Sequence, residues 1–249
     1  MIQVVRARDR YYSDFGWLQT YWLFSFAEYY DPQNIEFGAL RVFNEDVVQS
    51  GMGFPTHPHR EMEIITIPLS GEITHADSMG NRAVIRAGDV QRMSAGTGLT
   101  HSEFNLADAP VHFYQIWIFP DERGLTPTYD QRSYDPGARR DRLCPVASGQ
   151  GTEDVVTFHT DATIDRADLA SGRNVVHRVG GRRRVFVYLA SGAAQLNDVE
   201  LDTHDQARVD ELDEVCLTAR TDAALVLIDV PSCKGFGYDM PTLRGARAR

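Results

Sequence analysis

No long segment of this 249-residue chain keeps a helical period. Its apolar residues fall instead in short β-branched or aromatic runs, each closed off by Gly, Asn, Asp or Pro. Examples are Ala39-Leu-Arg-Val-Phe43, Met62-Glu-Ile-Ile-Thr-Ile-Pro-Leu69, Val111-His-Phe-Tyr-Gln-Ile-Trp-Ile-Phe119, Val185-Phe-Val-Tyr-Leu189 and Ala224-Leu-Val-Leu-Ile-Asp-Val230. Runs of this length and composition predict strands, hence an all-β protein. The length alone fits one large β domain or two of ordinary size. A faint repeat favours two. Leu69-Ser-Gly-Glu-Ile73 is echoed by Ala190-Ser-Gly-Ala-Ala194, and Gln115-Ile-Trp-Ile-Phe-Pro120 by Leu227-Ile-Asp-Val-Pro231. Both echoes fit two copies of one antiparallel unit, joined across the Gly-, Pro-, Asp- and Arg-rich stretch from Asp121 to Gly151. The first 35 residues show no clear strand alternation. Their aromatics (Trp17, Tyr21, Trp22, Phe24, Phe26, Tyr29 and Tyr30) are too dense for a solvated tail, so the segment is expected to pack on the sheets as an ordered cover.

Composition narrows the function classes. A net charge of -10 repels nucleic acid and anionic membrane, so no direct contact with either is expected. Arg182-Arg183-Arg184 runs straight into an apolar strand and reads as a solvated strand end; Arg244 to Arg249 read as a short frayed tail. Cys144, Cys216 and Cys233 are odd in number and contain no CxxC pair. That argues against a disulfide framework or a zinc–thiolate site, and each reads as a small buried hydrophobe in a reducing compartment. No run of about 18 apolar residues is present, and Met-Ile-Gln-Val-Val-Arg lacks a secretory layout. A cytoplasmic location is expected.

Histidine carries the chemistry. His57-Pro-His59 places two imidazoles at i and i+2, which on a strand share one face. His101-Ser-Glu103 repeats the spacing with an imidazole and a carboxylate. Two such pairs on neighbouring strands can converge on one divalent cation and leave one or two positions open to exchange. The donor set suits iron(II) and tolerates nickel, copper, manganese or zinc. Ser94-Ala-Gly-Thr-Gly98 places two glycines just before His101, where a pocket rim needs close backbone approach. His159, His177 and His204 are scattered through the second half, so one metal per chain is expected.

At this point a family resemblance becomes visible. His57-Pro-His-Arg-Glu-Met-Glu63, Ser70-Gly-Glu72, Asp77-Ser-Met-Gly-Asn81, Ile85 to Gly98 and His101-Ser-Glu103 closely resemble the pirins. The likeness extends upstream through Phe24-Ser-Phe-Ala, Tyr30-Asp-Pro and Phe37-Gly-Ala-Leu-Arg-Val, and downstream to Tyr114-Gln-Ile-Trp-Ile and Thr126-Pro-Thr-Tyr. It implies a bicupin: two β-sandwich or jelly-roll barrels, with a metal-binding cupin over 1–135 and a metal-free cupin over 136–249. It implies His57, His59, His101 and Glu103 as ligands of one ion, iron first. Glu63 occupies the place where the general cupin pattern puts its carboxylate; beside Glu103 as ligand, it is expected to handle protons or support the ligands. Related proteins commonly carry His-Thr-Phe-Ser-Phe where this chain reads Trp22-Leu-Phe-Ser-Phe26, so any role of that histidine is in doubt here.

The resemblance is strongest to bacterial pirin-like proteins described as quercetin 2,3-dioxygenases. It implies a dioxygenase that opens a flavonol-type ring with O2, with Glu103 or Glu63 taking the substrate proton and Phe54, Met62 and Met93 as candidates to line an apolar slot. The second reading is an iron-responsive regulator that acts through a protein partner. A sugar-phosphate isomerase, ranked last, would need a clamp from Arg60, Arg82, Arg86 and Arg92, several of which strand alternation turns outward.

Overall fold

The computed structural model describes residues 1–232, whose regular secondary structure is almost all antiparallel strand. The strands of the first half are Ile2–Val5 (β1), Tyr11–Asp14 (β2), Leu18–Trp22 (β3), Leu40–Val48 (β4), Gly53–His59 (β5), Glu63–Ser70 (β6), Glu72–Asp77 (β7), Arg82–Arg86 (β8), Asp89–Ser94 (β9), Leu99–Phe104 (β10), Val111–Ile118 (β11) and Thr128–Ser133 (β12). Those of the second half are Cys144–Ser148 (β13), Val156–Thr157 (β14), Thr163–Leu169 (β15), Asn174–Arg178 (β16), Arg183–Ser191 (β17), Ala193–Leu196 (β18), Val199–Asp202 (β19), Gln206–Asp210 (β20), Glu214–Ala219 (β21) and Ala223–Pro231 (β22). In each half a seven-stranded sheet accompanies a four-stranded one: β12-β9-β6-β11-β4-β3-β2 with β5-β10-β7-β8, then β1-β20-β17-β22-β15-β13-β14 with β16-β21-β18-β19. The expected bicupin is what the chain forms. No helix among the described residues is long and apolar enough to cross a membrane.

The repeat is structural. Ser70-Gly71 turns β6 into β7, and Ser191-Gly192 turns β17 into β18, each chain crossing from the large sheet to the small one. Both glycines take a positive φ, and a Cβ would lie 2.9 Å from Pro110 O at Gly71 and 2.2 Å from Asp222 O at Gly192. The other echo falls on β11 and β22, the central strands of the two large sheets.

The large sheets face each other. Phe43, Ile65, Ile67, Tyr114, Ile116 and Ile118 of the first share one buried cluster with Phe186, Tyr188, Val226 and Ile228 of the second. Both faces of these sheets are therefore covered, which explains why their strands read as nearly continuous apolar runs rather than alternating ones.

The first 35 residues differ from expectation. They contain three strands: β2 and β3 extend the first large sheet, and β1 pairs with β20 in the second, Ile2 opposite Val209. Their aromatics still form a cover, with Tyr11 stacked on Trp22 and Tyr29, and Phe26 edge-on to Trp22 and Trp117. Cys144 and Cys216 are half-buried and unpaired rather than core residues. Of the Arg182-Arg183-Arg184 run, Arg182 is exposed as expected, whereas Arg183 bridges Asp161 and Asp229, and Arg184 pairs with Asp210. Cys233 and the Arg244–Arg249 tail lie outside the described residues.

One charged cluster spans the two halves. Glu45 accepts from Arg10 Nη1 at 2.9 Å and from the Tyr188 hydroxyl, and meets His112 Nε2 at 3.0 Å; Tyr188 also meets His204 Nδ1 at 2.9 Å. Burial raises the Glu45 carboxyl, but the bonds to His112 and Tyr188 and the charges of His204 and Arg10 outweigh it, leaving it at about 2. A depressed carboxyl stabilises the fold above its ordinary range, and that contribution fades as pH falls from about 4.5 through about 2. Its size is on the order of 3 kcal/mol. Glu45→Gln should therefore be less stable than the parent at pH 6 and should lose less on acidification to pH 2.5. Denaturant titrations of both proteins across this range check it.

Candidate metal centre

The inward-facing residues of the first barrel follow one pattern on strand after strand. Along β4 they read Val42, Asn44, Asp46, Val48; along β11, Phe113, Gln115, Trp117; along β3, Leu18, Thr20, Trp22. Apolar clusters close both ends, one of Val42, Ile64, Met93, Leu99 and Trp117, the other of Leu18, Val48, Ile73, Val111 and Phe113. Between them lies a polar layer. The interior of the second barrel is more apolar: Val185, Val187, Leu189, Leu225 and Leu227 fill most of it, and its buried carboxylates, Asp165 and Asp229, lie beside His177, with Asp229 also held by Arg183.

The small sheet delivers the imidazoles into that layer. In β10, His101 lies opposite His57 of β5 on one side and Asp77 of β7 on the other, while Glu103 lies opposite His75. A bulge between His101 and Glu103 shifts the register against β5. The donors of His57, His59 and His101 all lie within 4.8 Å of one another, and those of His75, His101 and Glu103 form a second such group. His57 Nε2 and His101 Nε2 are 3.1 Å apart. Two nitrogens each about 2.0–2.1 Å from one ion stand roughly 2.9–3.4 Å apart at octahedral to tetrahedral angles, so this spacing fits a shared cation. The Trp117 ring meets His59 edge-on at 4.9 Å.

Electrostatics favour a cation as well. Burial, then the neighbouring imidazoles, pushes His59 and His101 down to about 3, so both are neutral at pH 7. Glu103 is 1% exposed; Gln115 Nε2 donates to its Oε2 at 2.8 Å and Thr66 Oγ1 to its Oε1 at 3.3 Å. Burial pushes the Glu103 carboxyl up despite those bonds and the imidazoles nearby. Burial also takes Asp46, capped by Thr20 and repelled by Glu103, to about 7. Asn44 Oδ1 and Gln91 Nε2 are buried in the same layer without a protein partner. Imidazoles, two of them held neutral by burial, and a carboxylate form a donor set for a divalent ion.

Glu63 is not brought to this group. It shares the outer face of β6 with Ile65 and Ile67, whereas Ile64 and Thr66 face inward. Its Oε1 accepts from Ser94 Oγ at 2.6 Å and meets His159 Nδ1 of the second half at 3.2 Å. The Glu63 carboxylate raises the His159 pKa, so the pair ties the halves together. Met62 and Met93 are core residues of one apolar end, whereas Phe54 packs edge-on to Trp17 beside the other, so the three line no common slot. Nor do the arginines form a clamp. Arg60 and Arg86 are largely exposed, Arg86 pairs with Glu72, and Arg92 donates to Thr157 O and Thr128 Oγ1. The sequence reading missed His75 and Asp46; His75-Ala-Asp77 carries the same i, i+2 signal as the two pairs it used.

With no metal added, His59 and His101 should stay neutral at pH 5, where an ordinary histidine is protonated. Imidazole 15N shifts followed from pH 7 to pH 4 check this; titration of either ring near pH 6.5 would contradict the buried geometry.

The comparisons agree with the geometry. The Pirin family model matches residues 4–118, and that of the quercetinase C-terminal cupin domain matches residues 145–230. The chain is 39% identical over 232 residues to an Escherichia coli K12 protein named quercetin 2,3-dioxygenase, an alignment covering 93% of this chain and 99% of that one. It is 40% identical over 218 residues to a pirin-like protein of Caulobacter vibrioides, covering 87% and 94%. The crystal structure of the bacterial pirin YhhW from Escherichia coli in complex with nickel(II) matches with a TM-score of 0.88 at 38% identity, covering 93% of this chain and 99% of that one. Relatives so similar across nearly their whole length, on a shared two-barrel fold, make this chain a member of the pirin family.

Proposed function

We propose that this chain is a metal-dependent dioxygenase of the quercetin 2,3-dioxygenase type, holding one divalent cation at His57, His59, His101 and Glu103. The observation that carries the reading is the meeting of three imidazoles, two of them neutral through burial, beside a buried carboxylate in the polar layer of the first barrel. The name of the Escherichia coli relative supports the reaction, and the nickel(II) complex of the related pirin supports a divalent ion. Iron(II) is our first choice of metal; nickel, copper, manganese and zinc suit the same donors. The bound ion supplies Lewis acidity toward the oxygens of a flavonol.

The chain's own groups do the rest. Gln115 and Thr66 fix the Glu103 carboxylate, which burial makes a better proton acceptor for the flavonol hydroxyl. Trp117, backed by Phe26, offers an aromatic wall beside His59. Glu63 faces the second half, so we assign proton acceptance to Glu103 and give Glu63 a role at the contact between the barrels.

His101→Ala should lose metal, measured as metal content after loading and desalting. Glu103→Gln should bind the ion about tenfold or more weakly, a change of about 1.4 kcal/mol or larger. Glu63→Gln should bind it like the parent. Oxygen uptake with quercetin, followed on iron-, nickel- and copper-loaded protein, tests the reaction. Intact metal binding without turnover on any of the three would leave the regulatory alternative, in which a protein partner reads the state of the site.

A further inference from the structure

The pairs on β5 and β10 have a third companion. His75-Ala-Asp77 on β7 repeats their i, i+2 spacing, and β10 lies between β5 and β7, so the three pairs sit side by side in one sheet. His75 is fully buried. Its Nε2 is 3.1 Å from Asp77 Oδ2, and its Nδ1 is 3.4 Å from His101 Nδ1. Asp77 is itself held in place: Oδ1 accepts from the Met79 and Asn81 amides at 2.9 and 3.0 Å, and Oδ2 from Asn81 Nδ2 at 2.8 Å.

We infer that His75, anchored by Asp77, is a positioning residue that fixes the tautomer and ring orientation of His101 so that Nε2 faces the cation as a lone pair. This rests on the proposed metal site. The logic is donor and acceptor accounting. A carboxylate only accepts, so the His75 Nε2 that faces Asp77 carries a proton, and a ring with that single proton offers Nδ1 as an acceptor. The contact with His101 is attractive only if His101 carries its proton on Nδ1, which leaves Nε2 bare. His57 reaches the same state independently, because its Nδ1 lies 2.7 Å from Pro55 O, a carbonyl that can only accept. Two bare Nε2 atoms then face each other at 3.1 Å, a spacing at which two nitrogens can share one cation. The Asp77–His75 pair thus does for His101 what a backbone carbonyl does for His57.

Asp77→Asn is the discriminating variant. It keeps the size and the acceptor that caps the Met79–Asn81 turn, but its amide can donate to His75 Nε2. That reverses the His75 tautomer, makes Nδ1 a donor and pushes the His101 proton onto Nε2. In metal-free full-length protein, 15N–1H correlation spectra should show His101 protonated on Nδ1 in the parent and on Nε2 in Asp77→Asn. Nickel(II), titrated against a competing chelator, should bind Asp77→Asn and His75→Ala about 10–100-fold more weakly than the parent. His75→Asn keeps an acceptor near the Nδ1 position and should recover part of that loss. An unchanged His101 tautomer in Asp77→Asn overturns the inference, as does nickel affinity within threefold of the parent in both Asp77→Asn and His75→Ala. The tautomer measurement needs no metal, so it decides the inference even if the parent binds no nickel; that result alone would sink the metal-site reading.

Discussion

Burying a carboxylate inside a β-barrel sets the terms for everything around it. An ionised group removed from water is tolerated only if it is hydrogen-bonded or paired, and Glu103 is 1% exposed. Gln115 and Thr66 come inward to meet it, and Asp46 shares the same layer with its carboxyl pushed up to about 7 by burial. The polar belt is confined between two apolar ends, and burial there keeps His59 and His101 neutral. The second barrel fills more of its interior with Val and Leu, and its buried carboxylates, Asp165 and Asp229, stand beside a single imidazole, His177. The difference between the barrels is thus a difference in what their mid-layers must solvate.

The two barrels are not separable modules. Their large sheets share the most extensive apolar cluster, so each sheet is buried on both faces. Polar contacts at its margins add direction: Glu63 with His159 at one place, and Glu45 with Arg10, Tyr188 and His204 at another. Three histidines that look scattered in the sequence each have a carboxylate partner: Glu63 for His159, Asp229 for His177 and Glu45 for His204. None of those pairings is local, which is why spacing along the chain does not reveal them.

Much of the fold is legible in the sequence because doubly buried strands leave unmistakable apolar runs, and the duplicated turns leave Ser70-Gly71 and Ser191-Gly192 as landmarks. β3 is not, and the reason is the polar belt itself. Its inward residues are Leu18, Thr20 and Trp22, while Tyr21 points outward, so the usual alternation of apolar and polar is inverted in mid-strand. In the site, the paired motifs of His57, His59, His101 and Glu103 are visible from period two alone. His75 escapes because Asp77 reads first as part of a turn, and Glu63 misleads because strand parity turns it to the outer face of β6.

The pairing of β1 with β20 ties residues 2–5 to residues 206–209. A segment synthesised before the second barrel completes the edge of that barrel's large sheet, so its contacts are distant in sequence and close only after the second barrel exists. Until then β20 presents an open edge, the kind of surface that recruits strands from other molecules. Residues 2–5 therefore act as a late seal, and the second half depends on the first for a covered edge as much as for an apolar face.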